Sequence, residues 1–378
     1  MVKRAICLVL CVALALAAGG CWNYRGLNQM SMVMGLAIDM DEQTGNYLVT
    51  YEVFQPVGKD QKSDEQSHLI EGEGKTIFDA ARNAKRRSLD KLYFGSAGLL
   101  IISQGIAKQG NILRVFEWFL SDAECRETIC LAVAQTNKAS EILKARGEGN
   151  EIISSVVQDI IMEDNKTTSS MPHTQLYKAY NLLKAKGIML TLPAVHTTLN
   201  DDKIFPELNG TAVFQKEKLV GFLTPEESKY YLIACNMAEG AILTIPSSGA
   251  DKDYLSLEMS SSSSDVSFSC EGDMPVFEVK TTTEVFVGEK GISDAPFKEA
   301  DILRIESTAG EVIKSNIEKV ISKAQKEYRS DIFGFGSRIH KYDLKLWERV
   351  GEHWDELFPS ITVKVSSEVH VLNTAFIK

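Results

Sequence analysis

A cysteine at position 21 is the residue whose surroundings most clearly predict a chemical reaction. A basic start and an apolar run occupy residues 3–18, and the small residues Ala18–Gly20 then precede Cys21. This order is typical of an export signal. The apolar part is shorter than the about 20 residues that a helix needs to cross a bilayer. We therefore expect residues 1–20 to be a signal peptide that is removed.

The sequence before Cys21 resembles the bacterial lipobox, in which diacylglycerol is attached to the cysteine thiol and the new N-terminus is acylated after cleavage. Ala18 is a departure, because the lipobox usually has leucine there. Several acyl chains, at about 0.8 kcal/mol per buried CH₂ group, make a stable anchor without a basic patch, and we predict no such patch. Cys21 is thus the predicted lipidation site. A plain secretory signal with cleavage nearby is the alternative.

Two glycine-containing segments superficially resemble nucleotide-binding loops. Gly74–Thr76 opens a predicted helix, but a P-loop also needs a glycine where Leu69 stands. Phe333–Gly336 contains a G-x-G, yet it follows a helix pattern and lacks the third glycine of a dinucleotide loop. We interpret the first segment as a turn before a helix and the second as a helix stop with an aromatic plug.

No other set of side chains has the spacing of a catalytic or metal site. One group is close in sequence: Asp331, Arg338, His340 and Glu348. Solvated helix residues explain this proximity better than an acid–base pair does. The histidines lack H-x-x-x-H and H-E-x-x-H spacings, and no serine lies in a G-x-S-x-G elbow. We expect no catalytic residue, metal or cofactor. The histidines are His68, His173, His196, His340, His353 and His370.

Four cysteines remain after Cys21: Cys125, Cys130, Cys235 and Cys270. Export places them where disulfides are permitted. We predict that Cys125 and Cys130 lie on one strand with side chains on opposite faces, so that they do not pair readily. No C-x-x-C spacing supports a zinc or redox site. We expect ordinary half-buried thiols, and a pairing of Cys235 with Cys270 stays open.

The charge of the chain restricts its partners. The formal net charge is −10, and it becomes −12 when the two positive charges of Lys3 and Arg4 leave with the signal. An acidic protein is repelled by nucleic acid and by anionic lipid. We therefore expect no nucleic-acid partner and membrane contact only through the lipid anchor.

Hydrophobic periodicity alternates between strand and helix patterns. Apolar runs at residues 31–40 and 47–54, separated by turn residues, predict a β-hairpin. The 3.6-residue repeat at residues 311–328 predicts the clearest helix, and Thr224–Glu227 has the sequence of a capping box. The chain is too long for one compact core. We predict an α+β, multidomain protein with mixed, largely antiparallel sheets flanked by helices.

A polar segment at residues 199–209 has the composition of a domain connection. It divides the mature chain into an N-terminal region, residues 21–198, which can comprise two subdomains, and a C-terminal domain, residues 210–378. Several segments in both parts carry a family resemblance: Cys21–Asn28, Gly35–Asp39, Gly74–Ala80, Gly210–Phe214, Leu219–Leu223, Asp331–Gly336, Trp347 and Trp354–Pro359.

On these residues the chain resembles the Ger(x)C family, the C subunits of bacterial spore germinant receptors, over essentially the whole mature sequence. Ser96 and Ser121 depart from it, because many members have histidine and arginine there. The resemblance implies a three-domain α+β lipoprotein without enzymatic activity, on the outer face of the cytoplasmic membrane that becomes the inner spore membrane. It also implies two partners, a polytopic A-type subunit and a transporter-like B-type subunit.

Our hypothesis is that the protein supports receptor assembly or signal relay during spore germination. One alternative is a solute-binding lipoprotein of a membrane importer, which would show two lobes of parallel βαβ units where we predict mostly antiparallel strands. Another is an anchored cell-wall hydrolase, which would need a catalytic dyad or metal triad.

Overall fold

Two β-sheets, each flanked by helices, organise the part of the chain that the structure describes, which confirms the predicted α+β class. The structure is a computed structural model, and it describes residues 2–6, 30–54, 67–145, 151–247, 254–272, 274–289 and 297–374. Cys21 and the predicted lipobox lie outside the described residues.

The first sheet has nine strands: β1 (Met30–Met40), β2 (Tyr47–Phe54), β3 (Ser67–Gly74), β4 (Lys91–Tyr93), β5 (Leu99–Ser103), β6 (Cys130–Ala134), β7 (Thr191–Asn200), β8 (Lys203–Gln215) and β9 (Lys218–Leu223). Their order is β3-β2-β1-β5-β6-β7-β8-β9, and β4 pairs with β1. The hairpin predicted at residues 31–40 and 47–54 is confirmed, with Met40 opposite Tyr47.

The centre of this sheet is parallel, since β1, β5, β6 and β7 all run in the same direction. Every residue of β5 and β6 is buried, as expected for parallel strands that are covered on both faces. The importer alternative also has parallel strands, so strand direction is a weaker argument against it than the sequence suggested. The helices of the N-terminal half, residues 21–198, are α1 (Ile77–Ala84), α2 (Gln104–Gln109), α3 (Ile112–Ser121), α4 (Ser140–Lys144), α5 (Ile153–Thr167) and α6 (Leu176–Lys184).

The second sheet has four strands: β10 (Ala241–Pro246), β11 (Tyr254–Glu271), β12 (Met274–Glu289) and β13 (Thr362–Thr374). The serine run at residues 260–264 lies inside β11, where alternate positions of the strand are exposed. The final strand, β13, pairs with β12 in parallel, so the chain must cross over between them. The helices of the C-terminal half, residues 199–378, are α7 (Pro225–Ala234), α8 (Glu299–Lys323), α9 (Phe335–Tyr342), α10 (Leu344–Val350) and α11 (Trp354–Leu357).

One predicted helix start agrees with the structure, and another differs from it. The predicted capping box is confirmed, because Thr224 Oγ1 accepts from the Glu227 backbone N–H at 3.1 Å and the Glu227 carboxylate accepts from the Thr224 N–H at 2.8 Å. Helix α8 begins at Glu299, well before the predicted start at residue 311. Its first turns bury few side chains, so the apolar repeat starts later than the helix.

Residues 199–209, which we expected to connect two domains, form the end of the β7–β8 hairpin, with Asn200 opposite Lys203. Because β8 and β9 follow this hairpin, the C-terminal part of the chain contributes strands to the first sheet. The turn chemistry that suggested a linker is that of a hairpin, in which Asp201 and Asp202 both have positive φ. The division into domains stays a prediction.

Backbone contacts join the two halves. The Met189 N–H donates to the Asp331 carbonyl at 2.9 Å, and the Ser337 N–H donates to the Gly187 carbonyl at 2.7 Å. Gly187 has a φ of +67°, and a Cβ built there would lie 2.3 Å from the Gly336 carbonyl carbon. The two halves thus meet at a junction where backbone packs directly on backbone.

Candidate functional site

The anchor predicted at Cys21 is connected directly to the first sheet. Met30 is the first residue of β1 and pairs with Lys91 of β4. The chain makes nine residue-to-residue steps from Cys21 to Met30, and these span at most about 30 Å when extended. Among the described residues, no helix combines the length and the apolar content that crossing a bilayer requires.

Two buried carboxylates that resemble catalytic acids serve as helix caps. Asp39 accepts hydrogen bonds from the backbone of Ala139–Ser140 at 2.6 and 3.0 Å. Glu52, which is only 1 % exposed, accepts from the backbone of Ile153–Ser154 at 2.8 and 2.7 Å and from the Ser67 hydroxyl at 2.8 Å. These bonds satisfy N–H groups that the first turns of α4 and α5 leave unpaired. Both carboxylates therefore stabilise the fold.

A third buried carboxylate, Asp331, lies at the junction of the two halves. It accepts hydrogen bonds from the N–H groups of Gly334–Gly336 at 2.8 to 3.1 Å and from Trp354 Nε1 at 2.9 Å. Burial raises the pKa of this carboxyl to about 6, although the four donors act in the opposite direction. Asp331 thus fixes the turn that precedes α9.

The Phe333–Gly336 segment begins α9 with two phenylalanines packed beside the turn. Gly334 has a φ of +73°, and Phe335 is 1 % exposed, with its ring centroid 4.6 Å from that of Phe277. This agrees with the aromatic plug that the sequence predicted, although the segment starts a helix here as well as following one.

The structure does not bring the sequence-neighbouring residues Asp331, Arg338, His340 and Glu348 into one acid–base pair. Arg338 Nη2 lies 3.9 Å from Asp265 Oδ1, and the ring of His340 packs 5.3 Å from that of Trp347. Glu348 is exposed.

The Gly74–Thr76 segment, which superficially resembles a P-loop, also has a structural role. Gly74 ends β3, where a Cβ would lie 2.3 Å from the Ala80 nitrogen, and Thr76 Oγ1 accepts from the Asp79 N–H at 3.1 Å to cap α1. Across the described residues, no group of three or more histidine, cysteine or acidic side chains is placed to hold a metal ion.

The four cysteines after Cys21 are free thiols. Cys125 lies in the bend before β6, and only Cys130 is on the strand, so our prediction that they share a strand was wrong. Turn residues between α3 and β6 contain too few apolar side chains to continue the strand. Burial raises the pKa of both thiols to about 12, which keeps them protonated and unreactive at neutral pH.

A cavity of about 520 Å³ opens at the junction between the two halves. Its floor is aromatic and aliphatic, with Tyr231, Phe333 and Val266 from three different elements. The Tyr231 hydroxyl lies 3.1 Å from Thr191 Oγ1, so the polar group of the floor is already bonded to β7. The lining contains four basic residues and no acidic one. The basic residues are His173, Lys178, Arg338 and Lys341.

The amino-acid sequence does not indicate this cavity. Arg338 and Lys341 are three residues apart on α9 and can share a face, but His173 and Lys178 lie more than 150 residues earlier. No pattern within the sequence indicates that these two pairs meet.

Comparisons with known proteins agree with the family resemblance. A family described as spore germination protein N-terminal domain matches residues 23–197, and one described as spore germination B3/GerAC like, C-terminal, matches residues 209–375. The chain is 21% identical to spore germination protein B3 of Bacillus subtilis (strain 168) over 95% of both chains. It is 24% identical to spore germination protein KC of the same organism, over 99% of this chain and 97% of that one.

The fold is similar to the crystal structure of the GerBC protein, with a TM-score of 0.61 and 19% identity over 90% of this chain and 97% of that chain. The two family matches cover both halves of the chain and leave only short segments outside. The chain therefore belongs to the Ger(x)C family of spore germination proteins.

Proposed function

We propose that this protein is the C-type subunit of a spore germinant receptor, and that it supports receptor assembly or signal relay without catalysing a reaction. The observation that carries this proposal is the match of both family regions along one chain, beginning two residues after Cys21. The buried carboxylates support a non-catalytic role, since those described above are engaged as helix caps.

The proposed location is the outer face of the cytoplasmic membrane, which becomes the inner membrane of the spore. The export signal and Cys21 support a lipid anchor there, and the short segment before Met30 would keep the first sheet within about 30 Å of the bilayer. The proposed partners are a polytopic A-type subunit and a transporter-like B-type subunit.

Affinity purification of the tagged protein from spore membranes tests the proposal. We expect the A-type and B-type subunits to be recovered with the native chain, and the Cys21→Ala variant to leave the membrane fraction and to lose them. Recovery of the native chain without either subunit would argue strongly against a receptor role. Retention of the Cys21→Ala variant in the membrane fraction after a salt wash would contradict the proposal that a lipid on Cys21 is what attaches the protein to the membrane.

A germination assay separates the proposed role from a mere association. Spores that lack this protein should fail to respond to the germinant of its receptor and should still germinate through other receptors. Germination that is unchanged for every germinant would contradict the proposal.

A further inference from the structure

We propose that the cavity at the junction of the two halves binds a small organic anion with an apolar body. This inference does not depend on the receptor role proposed above, since it rests on the charge, the size and the position of the cavity.

The charge of the lining is opposite to that of the protein. The chain has a formal net charge of −10, yet no acidic residue lines this cavity. Each of three other described cavities includes acidic side chains, such as Glu124 in one, Asp355 in another and Glu71 in the third. The basic lining is therefore a local feature that the composition of the surface does not explain.

The cationic groups of the lining have little neutralisation from the protein itself. The only described ion pair to Arg338 is the 3.9 Å contact with Asp265, whose side chain is 83% exposed, and such pairs contribute little. Lys341 Nζ lies 5.1 Å from the Tyr342 ring centroid, which holds the ammonium beside an aromatic face without cancelling its charge. A bound carboxylate, sulfonate or phosphate group would supply the missing negative charge.

The state of His173 agrees with a positive local potential. Burial lowers the pKa of this imidazole, and the charge of Lys178 lowers it further. The positive charge of Lys178 therefore acts on the histidine, and the neutral imidazole can donate or accept a hydrogen bond.

The floor explains why the anion should carry an apolar body. Phe333 stacks on Phe335 at a centroid distance of 5.5 Å and meets the Tyr231 ring edge-on at 5.5 Å, which leaves an aromatic surface beneath the basic rim. The volume of about 520 Å³ lies within the range of about 300–1,000 Å³ that is usual for small-molecule sites. Junctions between domains are a common place for such sites.

Two fluorescent probes with the same apolar body test the proposal. The anionic probe is 8-anilinonaphthalene-1-sulfonate, and the neutral probe is N-phenyl-1-naphthylamine, which lacks the sulfonate. The protein is residues 21–378 with Cys21→Ser, which removes the predicted lipidation site and retains every described residue from Met30 onward. We expect saturable binding of the sulfonate at one site, and weaker binding of the neutral probe.

The variant Lys178→Glu/Lys341→Glu should weaken sulfonate binding at least about tenfold and leave the neutral probe within about twofold. The matched control Lys108→Glu/Lys319→Glu makes the same change in net charge at exposed positions outside the cavity and should leave both probes unchanged. If the charge-reversed chain does not fold, as judged by circular dichroism, Lys178→Gln/Lys341→Gln replaces it, with a weakening of at least about threefold expected.

Three results would overturn the proposal. They are the absence of one-site binding of the sulfonate, an equal loss of binding in the control variant, and an equal loss for the neutral probe in the cavity variant.

Discussion

At the scale of single residues, the buried carboxyl groups show how a titratable side chain can be structural. Asp331 is 2 % exposed and has four N–H donors directed at its two oxygens. Burial disfavours its charged form, and the donors favour it. The balance is a raised pKa of about 6, so this carboxyl stabilises the fold less at neutral pH than at acidic pH.

A comparison of the native chain with the variant Asp331→Asn at several pH values should reveal this balance. The carboxyl has its ordinary pKa near 3.8 in the unfolded chain and about 6 in the folded chain, so the folded state binds the proton more tightly. Its contribution to stability is fully present below pH 4 and declines as the pH rises through 6. The free energy of unfolding of the native chain, relative to that of the non-titrating variant, should fall by about 1–3 kcal/mol between pH 4 and pH 7.

Denaturant titrations of both proteins at several pH values measure this difference, and comparison with the variant cancels the effect of the other acids. A difference that rises with pH would mean that the four donors outweigh burial.

The close contact at Gly336 gives a second residue-scale prediction. A Cβ there would lie 2.4 Å from Trp354 Nε1, the group that donates to Asp331, and 2.8 Å from Gly187 Cα. Gly336→Ala should therefore lower the free energy of unfolding by about 2 kcal/mol or more. Gly105→Ala, in α2, is the control, because the nearest atom to a Cβ there is 3.8 Å away. It should be neutral or slightly stabilising, and equal losses in both variants would refute the steric explanation.

At the scale of elements, helices in this protein begin with caps of two kinds. Helix α7 is capped locally by Thr224 and Glu227, three residues apart, and the sequence predicts it. Helix α5 has no side-chain cap from its own N-cap residue, Ile152, and receives one from Glu52, about 100 residues earlier. The start of α5 thus depends on β2 being in place.

Glu52→Gln should weaken that start. The amide keeps the size of the carboxyl but directs an N–H₂ group at N–H donors, so the free energy of unfolding should fall by about 1–3 kcal/mol. Hydrogen exchange at residues 153–156 should accelerate more than exchange in α7. Glu73→Gln, at an exposed position, is the control and should leave both unchanged. Equal exchange rates in native and Glu52→Gln chains would contradict a capping role.

At the scale of the whole molecule, the two halves share a sheet. Ala212, Phe214 and Leu219 of β8 and β9 belong to the same buried cluster as the strands of the N-terminal half. We therefore expect the hairpin at residues 199–209 to lie within one folding unit, although its composition is that of a linker. A cut there would leave β7 as an unpaired edge.

Two truncated chains test this, both with Cys21→Ser. The fragment 21–223 retains all nine strands of the first sheet and should melt cooperatively, whereas the fragment 21–198 lacks β8 and β9 and should aggregate or show no cooperative transition. Thermal circular dichroism and size-exclusion chromatography measure the outcome. Cooperative melting of the shorter fragment at the same temperature would show that β8 and β9 are dispensable.

The sequence by itself determined the features that depend on near neighbours. The β1–β2 hairpin, the Thr224 capping box, the aromatic plug at Phe335 and the family resemblance all follow from residues within a short stretch of chain. Local patterns suffice there because turns, caps and periodic faces involve side chains a few residues apart.

Only the tertiary structure decided the rest. The parallel order of β1, β5, β6 and β7, the Glu52 cap and the basic cavity at Arg338 all join residues that are distant in sequence. The same turn residues fit a hairpin or a linker, and the same buried acid fits a cap or a catalyst. The choice between them rests on which distant backbone groups the fold brings within hydrogen-bonding distance, and a single sequence does not record that.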